Sequence, residues 1–323
     1  MPDKIAVVLF QLGGPDSLDA VKPFLYNLFC DPDIIDFSGA FLARKPLARF
    51  ISSRRSKKVI EKYQIIGGKS PILEHTKTQA ASLERELNKT ISAKVFIAMR
   101  YWHPLTEEVV TSIQKEQFKK IILLPLYPHY SKATTGSSLN EWNRQCALKK
   151  NFPSSAKTIS SFHNHPLYIE AIVKNIQKAL MKFSHISQEE VDLIVSAHGT
   201  PASLVKKGDP YKEQIEETVR LVMERGQWNS THTLCYQSKV GPVKWLEPSL
   251  RETIQNLAAK GRKHFLIIPI SFVTEHLETL NEINIEIRRE AEQLGVEQFE
   301  LMPALNDSPK FIQCLTELVM EKV

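Results

Sequence analysis

Val191-Asp192-Leu193-Ile194-Val195-Ser196-Ala197-His198 is a short apolar run ending in a histidine, with Gly199-Thr200-Pro201 behind it. It is too brief for a core helix and rich in Val and Ile, so it predicts a buried strand. Its apolar residues do not alternate with polar ones, so both faces are covered, which points to a parallel sheet. IAVVLF (5–10), KVFIAMRYW (94–102), KIILLPLY (120–127), HTLCYQS (232–238) and HFLIIPIS (264–271) read the same way. Helical stretches lie between most of them. One is Leu105 to Gln117. Another is Leu250 to Lys260, opened by the Ser249/Glu252 capping box and closed by Gly261. A brief third follows Ser187, with Glu190 three residues on. Strands alternating with helices predict an α/β fold.

The pattern occurs twice. The first half reads strand, Gly-Gly-Pro (13–15), strand, Pro104, helix, IILLPLY, polar loop, and a helix from about 137. The second reads strand, Gly-Thr-Pro (199–201), strand, Pro242, helix, FLIIPIS, polar loop, and a helix from about 277. Aligning the turns sets Leu12 against His198, and aligning the sheet prolines sets Pro125 against Pro269. Two similar Rossmann-like domains are predicted, with parallel sheets facing a central cleft, since ligands bind beyond the carboxyl ends of such strands. The expected domains are 1–158 and 159–308, joined in the polar stretch 153–165. A last helix within 309–323 is expected to pack back on the first.

Composition narrows the function. The chain has 323 residues, 42% hydrophobic and 24% charged, as an ordinary globular protein has. There are 12 glycines and no Gly-rich dinucleotide fingerprint. Gly67-Gly68-Lys69-Ser70 fails as a phosphate loop because Tyr63 stands where its first glycine belongs. The net charge of +6 is modest, and no nucleic-acid partner is expected. Cys30, Cys146, Cys235 and Cys314 form no CxxC motif and suit a reducing compartment, so a cytoplasmic location is expected. No 18-residue apolar run is present.

Two segments carry candidate chemistry. His198 ends a buried strand, where an imidazole can act as a base, bind a metal ion, or simply cap the strand. Phe272-Val273-Thr274-Glu275-His276-Leu277-Glu278 continues to Glu282 and Glu286. On an α-helix these three glutamates share one face, drifting about 40° per step. They read either as a solvated face or as a path for protons or hard cations. No lysine on the intervening face offsets their charge. Tyr236-Gln237-Ser238-Lys239 and Leu126-Tyr127-Pro128-His129-Tyr130-Ser131 add aromatics and hydroxyls suited to a flat, mostly apolar ligand.

Taken together, the Gly-Gly-Pro turn, Tyr-x-x-Ile-Gly-Gly-x-Ser-Pro (63–71), Met99-Arg100-Tyr101, LPLYPHYS (124–131), SAHGTP (196–201), YQSKVGP (236–242) and HLETL (276–280) resemble ferrochelatase over nearly the whole chain. The resemblance implies two Rossmann-like halves and insertion of ferrous iron, as substrate, into protoporphyrin IX. It implies that His198 and Glu278 handle metal and pyrrole protons. Leu12, Arg55, Tyr63, Ser70, Arg100, Tyr101, Ser238, Phe272 and His276 are implied as porphyrin contacts, with Glu282 and Glu286 as a proton or metal relay. No iron–sulfur cluster is expected, because Lys132 occupies the place of a ligating cysteine and the tail holds only Cys314. Leu12 stands where coproporphyrin-using relatives tend to carry tyrosine, which favours protoporphyrin. The alternatives are coproporphyrin as substrate and a non-catalytic tetrapyrrole or metal carrier.

The segment 34–58 carries Ile34, Ile35, Phe37, Phe41, Leu42, Leu47, Phe50 and Ile51, then Arg54, Arg55, Lys57 and Lys58, with no acid between Asp36 and Glu61. It reads either as a helix packed on the first domain or as a lip in peripheral contact with an anionic membrane.

Overall fold

The computed structural model describes residues 4–34, 40–116, 118–150, 152, 156–239 and 243–323, with side chains for all of these but 40–42. Two compact units emerge. The first comprises Met1–Ser161 and Ile312–Val323, the second Phe162–Phe311.

The first unit holds β1 (Ile5–Gln11), β2 (Ala93–Met99), β3 (Lys120–Pro125) and β4 (Ala156–Thr158). They form one parallel sheet in the order β2-β1-β3-β4. All seven residues of β1 are buried, as an unbroken apolar run requires. Ala6, Val8 and Phe10 share one face with Val109, Val110 and Ile113 of the helix Thr106–Lys115 and with Trp142. The second unit holds β5 (Val191–His198), β6 (His232–Gln237), β7 (His264–Pro269) and β8 (Gln298–Leu301), parallel and in the matching order β6-β5-β7-β8. Here Ile194, Cys235, Phe265 and Ile267 pack with Leu250 and Ile254 of the helix Leu250–Ala259 and with Ile283 and Ile287.

The duplication extends to register. Phe10 pairs with Pro125 and Ser196 with Pro269, so Leu12 and His198, each two residues on, hold equivalent places. The Met99 N–H donates to the Pro104 carbonyl at 2.7 Å, and the Tyr236 N–H donates to that of Pro248 at 2.9 Å. Both prolines follow cis peptide bonds. The counterpart of Pro104 is therefore Pro248, not Pro242, which lies outside the described residues with Val240 and Gly241.

Other expectations shift. The helix expected over Leu105 to Gln117 runs Thr106–Lys115, and Gln117 lies outside the described residues. The stretch after Ser187 is a single 3-10 turn, Gln188–Glu190, with its capping box formed. β4 and β8 escape the sequence reading because edge strands of three and four residues carry too little apolar sequence to register. The segment expected to be α-helical from about 277 is a π-helix over Glu278–Ile287, followed by an α-helix over Arg288–Gln293. The last helix is Pro309–Met320.

Candidate active site

His198 closes β5, and side-chain alternation sets it on the face of Ile194 and Ser196, the face covered by the π-helix. Its backbone is tied at both ends. The N–H donates to Ser271 Oγ at 2.8 Å, and the Tyr211 hydroxyl donates to its carbonyl at 3.0 Å. The ring meets Phe272 edge-on at 5.9 Å between centroids. Its Nδ1 is buried with no hydrogen-bond partner among the described residues.

Phe272 lies 4.2 Å from the His276 ring. His276 is buried, and its Nδ1 sits 3.1 Å from the Thr274 carbonyl, which can only accept, so Nδ1 carries the hydrogen. Its Nε2 forms an ion pair with Glu278 Oε2 at 2.6 Å. Burial alone would favour a neutral His276, but the Glu278 charge outweighs it and raises the pKa. Burial likewise works against ionised Glu278, yet the His276 charge and hydrogen bond, then the His198 charge, push its pKa down to about 2. Each charge thus favours the other: Glu278 raises the His276 pKa, and His276 holds Glu278 ionised.

A brace holds this corner. The Glu275 carboxylate accepts the Ala304 N–H at 2.8 Å and the Thr279 hydroxyl at 2.5 Å, while the Glu275 N–H donates to Asn306 Oδ1. The glutamate row does not continue as an uncompensated path. Glu282 accepts both the N–H (3.0 Å) and the hydroxyl (2.7 Å) of Ser238, whose φ of 66° is left-handed. Glu286 faces Arg251 at 3.9 Å. The offsetting cation comes from the neighbouring helix, where inspection of the π-helix alone could not find it. Ser238 is accordingly a partner of Glu282, which takes both its N–H and its hydroxyl hydrogen.

In the first unit, Leu12 is half-buried at the carboxyl end of β1, and its carbonyl accepts the Tyr101 N–H at 3.1 Å. Arg55 is exposed, its guanidinium 5.5 Å from the Phe29 ring centre. Tyr63, Ser70 and Tyr101 do not present surface to a ligand, being 4%, 6% and 0% exposed. The Ser70 N–H donates to the Pro15 carbonyl, and a methyl group on Gly14 would lie 2.5 Å from Ser70 Oγ, so Ser70 packs the Gly-Gly-Pro turn. The Tyr101 hydroxyl donates to Asp31 Oδ2 at 2.5 Å. Arg100 is largely buried and pairs with the same oxygen at 3.0 Å. Ser137 and Tyr211 stand in stretches that the sequence marks, Thr134-Thr135-Gly136-Ser137 after the third strand and Gly208-Asp209-Pro210-Tyr211 after the histidine strand, whereas no motif assigns a role to Asp31 or Ser271.

A family model for ferrochelatase matches residues 4–323. The chain belongs to the ferrochelatase family. It is 49% identical over 319 residues to the ferrochelatase of Geotalea daltonii, covering 99% of this chain and 98% of that one. It is 47% identical over 320 residues to the ferrochelatase of Aquifex aeolicus, covering 99% and 100%. Among solved structures, SirB from Bacillus subtilis with Fe3+ superposes with a TM-score of 0.55 at 16% identity, over 98% of this chain and 95% of that one. CbiX, described as the terminal enzyme of sirohaem biosynthesis in denitrifying bacteria, gives 0.53 at 12%, over 99% of each. These two share the fold, and the ferrochelatase relatives share the sequence along its length.

Proposed function

We propose that this ferrochelatase-family chain inserts ferrous iron into protoporphyrin IX, forming protohaem and releasing two protons. A free-base porphyrin carries two inner N–H protons that must leave as iron enters. The observation that carries the reading is a pair of acceptors at the carboxyl edge of the second sheet: the His198 imidazole, with Nδ1 unpartnered, and the Glu278 carboxylate, held ionised. His276, whose pKa the Glu278 charge raises, acts by keeping Glu278 charged. Both acceptors are also suitable donors to iron. Phe272 offers an aromatic face beside them. From the first unit, Leu12, Arg55 and Arg100 are the proposed porphyrin contacts, and leucine rather than tyrosine at position 12 supports protoporphyrin over coproporphyrin. The reading includes no iron–sulfur cluster: Lys132 opens a helix where a cysteine would be needed, and Cys314 is buried.

Purified protein with ferrous iron in anaerobic buffer, given protoporphyrin or coproporphyrin, tests this directly. Turnover of protoporphyrin is expected. Binding without metallation would make the chain a carrier, and turnover of coproporphyrin alone would reassign the substrate. His198→Ala should lower kcat by about 10²-fold or more, as loss of a general base does. A folded variant keeping a tenth of the activity would remove His198 from that role.

A cytoplasmic enzyme in peripheral contact with anionic lipid is the companion proposal. The helix Ala40–Ile65 exposes Phe50 (61%) beside Lys45, Arg49, Arg54, Arg55, Lys57 and Lys58. Tyr26, Lys45, Arg49 and Phe50 line a groove of about 490 Å³ there. An apolar ring among cations suits an interfacial segment, each cation adding about 1 kcal/mol near anionic headgroups. Among the described residues no helix is long and apolar enough to cross a membrane. Sedimentation with anionic vesicles at low salt, and none with neutral vesicles, is expected; absence of anionic binding overturns the contact.

A further inference from the structure

Asp31 belongs to none of the motifs assigned to the porphyrin, yet its carboxylate is fully buried at the end of the first sheet. Oδ1 accepts the Asp33 N–H at 2.9 Å, closing a local turn. Oδ2 gathers three donors: Arg100 Nη2, the Tyr101 hydroxyl and the Ser137 hydroxyl. Ser137 Oγ also accepts from Arg100 Nε at 2.7 Å. The guanidinium is thus held along its Nε–Nη2 edge by two acceptors. A guanidinium is a rigid plane, so fixing one edge fixes the whole group.

The backbone sets the same corner. The Arg100 N–H donates to the Gln11 carbonyl at 2.9 Å, the Tyr101 N–H to that of Leu12 at 3.1 Å, and Asn27 Nδ2 to the Tyr101 carbonyl at 3.1 Å. The remaining nitrogen, Nη1, is not committed to Asp31 or Ser137, and stands 4.0 Å from Glu141.

We propose that Asp31 is a positioning residue for the porphyrin: through Oδ2 and Ser137 it locks the plane of Arg100 so that Nη1, held only by the long 4.0 Å pair with Glu141, is offered as a donor to the substrate. Tyr101 belongs to the same lock, which is why it is buried rather than facing a ligand. Arg100 is then an aimed donor whose charge is largely compensated, in contrast to exposed Arg55. This role presupposes the metallation reaction proposed above.

The test is a double-mutant cycle in steady-state metallation of protoporphyrin. Asp31→Asn keeps the shape and removes the charge, and Arg100→Leu removes the group acted upon. Asp31→Asn alone is expected to raise the porphyrin KM about tenfold, the worth of one misdirected charge-assisted hydrogen bond, while kcat changes less than threefold. In the Arg100→Leu background the same substitution should change KM less than threefold, because contacts in one network do not add. A merely structural role would lower the active fraction, reducing kcat at constant KM, in both backgrounds alike. That pattern overturns the proposal, as does an unchanged KM in folded Asp31→Asn. If Asp31→Asn does not fold, Ser137→Ala replaces it in the cycle, with the same two outcomes. An inactive wild type refutes the metallation reading instead, so the two failures are told apart.

Discussion

Glu278→Gln removes one charge from the His276–Glu278 pair and leaves its shape. The carboxylate is held from an ordinary 4.5 down to about 2, a preference for the ionised form of about 3 kcal/mol. A lowered carboxylate contributes stability that is full above pH 4.5 and is lost as pH falls towards 2. His276 is raised above 6.5, so its contribution is full below pH 6.5 and is lost as pH rises through the raised value. The pair therefore stabilises the second unit most between pH 4.5 and 6.5. In the variant, burial of His276 is opposed only by the Glu275 charge and the Thr274 carbonyl, so its pKa falls. Removing one partner of a fully buried pair costs ~3–5 kcal/mol. The Glu278 side chain is 27% exposed, and Gln still accepts a hydrogen bond, so we expect about 2 kcal/mol. For a unit of this size that is a drop of roughly 4–8 °C in Tm at pH 5.5, with a smaller gap at pH 9. Thermal scans at both pH values and NMR titration of labelled histidines read the two effects. A Tm gap equal at pH 5.5 and 9, or a variant His276 pKa no lower than that of the wild type, would refute the electrostatic account.

Three further outcomes are expected. Gly199→Ala, whose new methyl would lie 2.8 Å from the Gln237 backbone carbonyl oxygen and 3.1 Å from Trp245, should cost about 1–3 kcal/mol by overpacking and lower kcat through the adjoining His198; denaturant midpoints and turnover check it. Ser238→Gly should be milder than Ser238→Ala, because glycine tolerates the left-handed backbone and keeps the N–H donated to Glu282, whereas alanine loses the hydroxyl and stays strained; paired Tm measurements would show the reverse order if the backbone conformation were unimportant. Glu286→Gln should leave kcat within threefold and stability within about 1 kcal/mol, since its half-exposed pairing with Arg251 is of the weak surface kind; a kcat loss of about tenfold or more in the folded variant would instead support a relay through Glu286.

The strands were legible because each is an unbroken apolar run between turn residues, and the duplication because Gly-x-Pro and a sheet proline recur in the same order along the two sets of strands. His198 was legible as the last residue of such a run. What the sequence concealed depends on contacts between distant segments. Arg251 reaches Glu286 from another helix, Glu282 turns to Ser238, and Asp31 reaches Tyr101 and Ser137 across 70 and 106 positions. The resemblance marked Tyr63, Ser70 and Tyr101 as ligand contacts, but whether a motif residue faces a ligand or braces one that does is decided by burial. The π-helix was missed because its residues are ordinary for an α-helix and only the hydrogen-bond pattern differs.

The matched hydrogen bonds at Pro104 and Pro248 fix the ends of two equivalent connections of unequal length. Five positions separate Met99 from Pro104, and twelve separate Tyr236 from Pro248. Lengthening a closed loop by that ratio costs only about 0.8 kcal/mol in chain entropy. The second copy thus carries surplus chain, beginning at Ser238, at almost no thermodynamic penalty, while the strand before it and the helix after it keep their places. The length of this junction can therefore diverge between the two copies without disturbing the scaffold on either side of it.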